Sequence, residues 1–299
     1  MRDNAATTSA GQSWHTRRPN RRLGRWVNFY LAYRRTTGVS MVRTVAALNS
    51  ILVIIDLAPG IRRARLDSPF TAISPVTGMT GGPISYERLG HEEGVIVELT
   101  PLGARALFGI PLSELGTARV GMADLLGEDA RRLTERLWET ETVEGRFRIL
   151  DRWLAKRLLD GPMLSKALEG SWRSLTLSQG NVRITELANR AGVSRQHLAT
   201  GFHREIGLSP KTVARVARCH SAIRLITGRN PPPLSTVAQL CGYTDQAHLN
   251  RDFRLLVDTT PTGLLRSGDS CTDLFLGSEI ALRPRQRTGT PLESGLPLS

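Results

Sequence analysis

At 299 residues the chain is long enough for two ordinary domains, each able to bury a core. Hydrophobic residues make up 40% of it, which excludes a disordered polyelectrolyte. The longest apolar run, Ile51–Ile55, falls far short of the roughly 20 residues that cross a bilayer as a helix. Forty basic against 27 acidic side chains give a net charge of +13, which points to a polyanionic partner.

The charge is unevenly placed. Residues 1–45 are net +8, residues 46–170 net −2, residues 171–270 net +7, and the last 29 balance. Residues 1–23 are polar and Arg-rich, with no large aliphatic side chain between Met1 and Leu23, and read as a flexible basic tail. Its Arg17–Arg25 cluster either adds non-specific phosphate affinity or is simply solvated. Arg17-Arg18 lacks the apolar run and small-residue cleavage site of an export signal, so the expected location is the cytoplasm, at the nucleoid.

From Leu23 to Leu99 the signals are strand-like: Phe29–Tyr33, Ile51–Leu57 and Val95–Val97, with turn clusters at Ala58-Pro59-Gly60 and Gly81-Gly82-Pro83. The period then changes. Thr100-Pro101 reads as the cap and first residue of a helix over Leu102–Phe108. Asp129–Trp138 and Arg146–Leu159 carry apolar residues at helical spacing. His91-Glu92-Glu93 invites a metal site, but no second His stands nearby at ligand spacing, and a surface turn is the expectation. No metal and no cofactor is implied. The section from Trp172 to about Arg266 is helical, and residues 268–299, rich in Pro, Gly and Ser without periodicity, read as a disordered tail.

Within the helical section a pattern occurs twice. Leu187-Ala188-Asn189-Arg190-Ala191-Gly192-Val193-Ser194 is answered by Val237-Ala238-Gln239-Leu240-Cys241-Gly242-Tyr243-Thr244, and after one inserted residue Leu198, Phe202, Ile206 and Ser209-Pro210 are answered by Leu249, Phe253, Val257 and Thr260-Pro261. Each copy reads as a short helix stopped at a structural-turn glycine, Gly192 or Gly242, then a second helix capped by the hydroxyl of Ser194 or Thr244. Helix, tight turn, helix is the unit whose second helix enters the major groove. Between the copies Ser209-Pro210 opens a further helix that runs to Gly228, where Pro231-Pro232-Pro233 forbids continuation. About 17 residues at ~1.5 Å each make a spacer of roughly 25 Å, suited to placing two recognition helices in successive grooves.

These residues, with the order Leu-Ala-x-x-Ala-Gly-Val-Ser-x-x-His-Leu-x-x-x-Phe, then Gly207-Leu208-Ser209-Pro210, then Val237-Ala238-x-x-Cys241-Gly242-Tyr243 and Phe253, resemble the AraC/XylS DNA-binding domain over about residues 168–267. Asp258 stands where the second unit usually has Gly, and Tyr243 where Phe is common. Val95–Ala104 with Leu107–Pro111 also resembles an N-terminal domain found in some members. The resemblance implies an α+β chain: a β-rich N-terminal domain with trailing helices over residues 24–165, for sensing or dimerisation, then an all-α domain of two helix-turn-helix units joined by a linker helix. It implies a sequence-specific transcription regulator, not an enzyme. Its partners would be double-stranded promoter DNA, an unknown small-molecule effector, a second copy of the chain and RNA polymerase, with no membrane.

By that resemblance Gln196, Ala199 and Thr200 face bases, with Arg195 at the helix start and His197 and Arg204 beside them. On the second helix Gln246, Ala247, His248 and Arg251 hold the corresponding face. Gln can read adenine and Arg guanine with two hydrogen bonds, while Asp245 either accepts from cytosine or favours the helix N-terminus. His203 and His220 read as helix-face residues without special roles, and Cys241 as a small core residue. Two rival readings remain: an architectural DNA binder without effector, and a DNA-repair alkyltransferase fused to such a domain. The latter needs reactive and zinc-binding cysteines before residue 168, and the first Cys is Cys219.

Overall fold

The computed structural model describes residues 4–7, 12–58, 61–64, 74–116 and 120–266. Its first half is an antiparallel sheet of eight strands: β1 (Asn4–Thr7), β2 (Gln12–Arg17), β3 (Val27–Val45), β4 (Ile51–Asp56), β5 (Ile61–Ala64), β6 (Pro75–Thr77), β7 (Ile84–Leu99) and β8 (Val120–Gly121). The order is β1-β2-β3-β7-β4-β6-β8, with β5 also paired to β7. The sequence signals at Phe29–Tyr33 and Val95–Val97 mark only the most apolar stretches of β3 and β7. These two strands pair from Val27↔Leu99 to Val45↔Ile84, with register shifts near Val27/Phe29 and Thr37/Met41.

Side chains alternate across the sheet, as the two-residue period requires. Tyr30, Ala32, Val53, Ile55, Val95 and Val97 point to one face, where they pack with the helices that follow. Leu31, Tyr33, Leu52 and Ile96 point to the other, with Val45, Leu48 and Tyr86. On this second face lies Glu98, which accepts a hydrogen bond from Asn28 Nδ2 at 2.7 Å. Its complete burial pushes its pKa up to about 8 against the hydrogen bonds from Asn28 and Ser50, so the group is mostly neutral at pH 7.

Helices α1 (Pro101–Phe108), α2 (Met122–Leu126), α3 (Glu128–Trp138) and α4 (Val143–Leu158) follow. Thr100 caps α1 by accepting from Gly103 N, and Pro101 sits in its first turn. Arg146 of α4 ties the helices to the sheet: its Nε donates to the carbonyls of Leu137 and Thr140, and its Nη1 meets Glu93 of β7 at 2.6 Å.

Two expectations are corrected here. Residues 12–17, expected in the basic tail, are strand β2, paired in full with β3. Arg17 bonds the Phe147 carbonyl and Asp151, and its guanidinium lies over the rings of Tyr30 and Phe147. Arg25 pairs with Glu169 at 2.9 Å and stacks on Trp26. The composition misled because arginine's charge can be met and its stem buried within a fold. Likewise His91-Glu92-Glu93 is not a turn but the middle of β7, with Glu92 in a buried ion pair to Arg35 and Glu93 bonded to Arg34 and Arg146. The tail expected over residues 268–299, and Pro59-Gly60 of one turn cluster, lie outside the described residues.

The second half is helical: α5 (Lys166–Leu177), α6 (Ile184–Arg190), α7 (Arg195–Ile206), α8 (Pro210–Ile226), α9 (Leu234–Leu240), α10 (Gln246–Val257) and α11 (Pro261–Arg266). Leu187, Leu198, Phe202 and Ile206 of α6 and α7 join the same core as the sheet and α1–α5. Val237, Leu249, Phe253 and Leu256 of α9 and α10 form another core with Cys219, Ile223 and Ile226 of α8, to which the sheet half contributes Ala46 and Ala47.

Candidate nucleic-acid interface

Each repeat folds as helix, turn, helix. Helices α6 and α9 have 7 residues each, and α7 and α10 have 12 each. The turn glycines Gly192 and Gly242 take φ of +66° and +71°, a region costly for residues with a Cβ. Leu198 and Phe202, and Leu249 and Phe253, are fully buried, so in both units the opposite helix face is left outward.

Ser194 caps α7 by accepting from His197 N at 3.1 Å. In α10 the expected cap, Thr244, is replaced by Asp245, whose Oδ1 accepts from His248 N at 2.7 Å. The inserted residue between the two half-patterns lies before the cap, so the residue equivalent to Ser194 is Asp245. A carboxylate there also suits the positive end of the helix dipole. Asp258 ends α10 in the left-handed region at φ +61°, where Gly207 ends α7 at φ +91°.

On α7, Arg195, Gln196, His197, Thr200 and Arg204 are exposed and Ala199 is half-buried. On α10, Gln246, Ala247 and Arg251 are exposed and His248 is half-buried, its ring edge-on to Tyr243 at 5.1 Å. Arg254, one turn beyond Arg251, is exposed as well and adds a cation that the repeat pattern did not single out. Arg204 is not wholly free, since its Nε bonds Glu205 at 2.8 Å and Glu205 in turn holds Arg105 of α1 at 2.8 Å. His197, Thr200 and Arg204 line a cleft of about 380 Å³ between α7 and the α4–α5 connection, where Arg105, Met163 and Leu168 form the far wall.

Helix α8 is opened by Ser209, which accepts from Thr212 N, with Pro210 at its first position, and it runs for 17 residues. The sheet half grips it and both units. Ala47 N–H donates to the Leu256 carbonyl of α10 at 2.7 Å, and His220 Nε2–H of α8 donates to the Ala47 carbonyl at 2.7 Å. His220 therefore has a structural role the sequence did not suggest. Desolvation pushes its pKa down to about 4, against the hydrogen bond to Ala47, and keeps it neutral. Cys219 and Cys241 are buried, and burial pushes both thiols up.

Two helix-turn-helix units, with polar second helices facing outward and one continuous helix between them, define a double helix-turn-helix DNA-binding domain. Residues 187–267 match the family model described as a helix-turn-helix domain. Over 84 residues the chain is 32% identical to the probable transcriptional regulator LumQ of Photobacterium leiognathi, a match covering 28% of this chain and 34% of that protein. The chain thus spans about a third of the length of this curated relative. Among solved structures it is similar to ToxT from Vibrio cholerae, at 12% identity over 79% of this chain and 97% of that one, TM-score 0.44. It is also similar to the AraC-like transcriptional activator CuxR, at 17% identity over 68% and 78% of the two chains, TM-score 0.30. Residues 187–267 of this chain thus carry a helix-turn-helix domain.

Proposed function

We propose that this chain is a sequence-specific DNA-binding transcription regulator whose helices α7 and α10 enter successive major grooves of one promoter duplex. The observation that carries the reading is the pair of matched units, each with its apolar face buried and its polar face outward, joined by the single helix α8. In this reading Arg195, Gln196, Ala199 and Thr200 read or flank one half-site, and Gln246, Ala247, His248 and Arg251 the other. His197 and Arg204 sit at the edge, where phosphates pass. Ser194 and Asp245 hold the helix starts, and Thr244 lies exposed beside the second.

Residues 24–165 serve as the sensing or dimerising part and residues 168–267 as the reader. The sheet half touches both units, so a small effector bound in it could change how they are presented. RNA polymerase and a second copy of the chain are the protein partners this reading admits, and the nucleoid in the cytoplasm is where it would act. In this reading the chain acts by binding; against the alkyltransferase alternative, burial pushes the thiols of Cys219 and Cys241 up, away from the thiolate that alkyl transfer needs.

The test is selection by the full-length protein from random duplex DNA at one stated salt concentration. The expected result is two recovered half-sites about 10 base pairs apart, centre to centre. Inserting about five base pairs turns one half-site to the far side of the duplex and should abolish most specific affinity. Arg251→Ala should weaken binding by about 1–3 kcal/mol and relax preference at one or two positions of the second half-site. Uniformly weaker binding with an unchanged motif would make Arg251 a phosphate contact, and recovery of no motif would remove the reading.

A further inference from the structure

The linker helix alone does not fix how the two units face one another, because each could swivel about its own end of the rod. The turn between α5 and α6 meets both α8 and the second unit. Gln179 adopts φ +52°, unusual for a residue with a side chain, and its Oε1 accepts from Ser221 Oγ of α8 at 2.5 Å. Gly180 follows at φ +81°, so close to α8 that an added methyl group would overlap the Ala214 carbonyl. The amide of Asn181 lies against the Cα of Gly242, the turn glycine of the second unit.

Arg218 of α8 joins the same place. Its Nη1 donates to the Gly180 carbonyl at 3.5 Å, and its guanidinium lies 5.7 Å from the centre of the Tyr243 ring. Tyr243 in turn packs against His248 on the second recognition helix. A chain of contacts thus runs from the root of the first unit, across the linker helix, to the second recognition helix. A left-handed backbone at a residue with a Cβ is strained and persists only where the surroundings over-determine it.

We propose that Gln179–Asn181 form a wedge that, with Arg218, sets the orientation of one recognition helix relative to the other and so determines which half-site spacing the protein accepts. The part concerning spacing rests on the proposed two-groove reading, whereas the part concerning orientation does not. Gln179, Asn181 and Arg218 are positioning residues here and need touch no base.

The experiment uses the full chain in two arms. In the first, spin labels replace exposed His203 at the end of α7 and Arg254 on α10, with Cys271→Ser removing the one thiol outside the described residues, and the distance distribution between labels is measured without DNA. The unaltered wedge should give a narrow distribution, and Gln179→Gly with Asn181→Ala a clearly broader one. Gln179→Glu with Asn181→Asp, which keeps both acceptors and both shapes, should restore the narrow one. In the second arm the unlabelled proteins bind the duplex selected by the parent protein, lengthened or shortened by one base pair between half-sites. The parent should lose roughly tenfold in affinity, about the effect of a mismatched base pair, and the wedge-less variant less than about threefold.

Equal label distributions with and without the wedge would overturn the proposal outright. A broadened distribution with an unchanged spacing penalty would overturn the claim on spacing. A broadened distribution in a protein that selects no DNA motif would sustain the orientation claim and remove the two-groove reading instead.

Discussion

The two helix-turn-helix units have helices of equal length and the same turn geometry, yet they are held by different neighbours. The first, α6 and α7, shares one core with the sheet and α1–α5: Leu168 lies against Gly201, and the Gly207 that ends α7 approaches the Leu112 carbonyl. The second, α9 and α10, closes its core on α8 and takes only Ala46 and Ala47 from the sheet half. One unit is embedded in the larger domain, and the other is carried on the linker, touched by the sheet half at Ala46-Ala47 and by the α5–α6 turn at Gly242. Similar sequence therefore fixes each unit's internal shape, while the partners of its outer faces decide how independently it moves.

The sharpest way to break this contrast is to hollow each core at its equivalent phenylalanine. Phe202 and Phe253 are both fully buried, and replacing either with Ala should cost about 3–5 kcal/mol. All five tryptophans, at 14, 26, 138, 153 and 172, precede the second unit, so their emission reports on the sheet half and α5. Phe202→Ala should lower the midpoints of tryptophan emission and helical dichroism together. Phe253→Ala should bring forward only part of the dichroism. Identical behaviour of the two variants would mean the units are embedded alike.

A smaller effect should appear on acidification. His220 tethers the sheet half to α8 as a neutral ring with its pKa lowered to about 4, below its ordinary value of 6.5. The unfolded chain therefore binds the extra proton first, so this group's contribution is intact above pH 6.5 and is lost as the pH falls from there towards 4. Each tenfold change in proton affinity corresponds to about 1.4 kcal/mol, and partial exposure of the ring reduces the contribution to on the order of 1–2 kcal/mol. Denaturant midpoints measured from about pH 7 to about pH 4 should fall less steeply in His220→Gln than in the parent. Parallel curves would show that the tether does not depend on this ring.

The smallest difference concerns the turn glycines. Gly192→Ala meets open space and bears only the left-handed strain, about 1–2 kcal/mol. Gly242→Ala carries the same strain and must also push the Asn181 amide aside. Its loss of stability should exceed that of Gly192→Ala by several tenths of a kcal/mol or more. Equal losses would show that Asn181 yields freely.

The paired units, their turn glycines, the Ser209 cap and the length of α8 were all legible in the sequence, because each rests on local chemistry: a periodic apolar face, a capping hydroxyl, a glycine at positive φ. The exact cap of α10 was not, since an inserted residue left Thr244 and Asp245 as adjacent candidates. Arginine composition hid strand β2, because what holds it is the distant Asp151 and the rings of Tyr30 and Phe147. The roles of His220 and Gln179 were illegible for the same reason. Their partners, Ala47 and Ser221, lie 173 and 42 residues away, and nothing in the neighbouring residues announces them.

Ala47 sits in a short stretch between β3 and β4 that belongs to no strand, where a backbone amide would ordinarily trade its proton with water within seconds or less. Its N–H is instead given to the Leu256 carbonyl and its C=O is taken by His220. Deuterium can replace that proton only when this hydrogen bond opens, so its exchange rate reports how often the contact between the sheet half and the second unit breaks. One slow amide in an irregular segment thus becomes a clock for that contact, readable in the free protein, with DNA, or with any small molecule added.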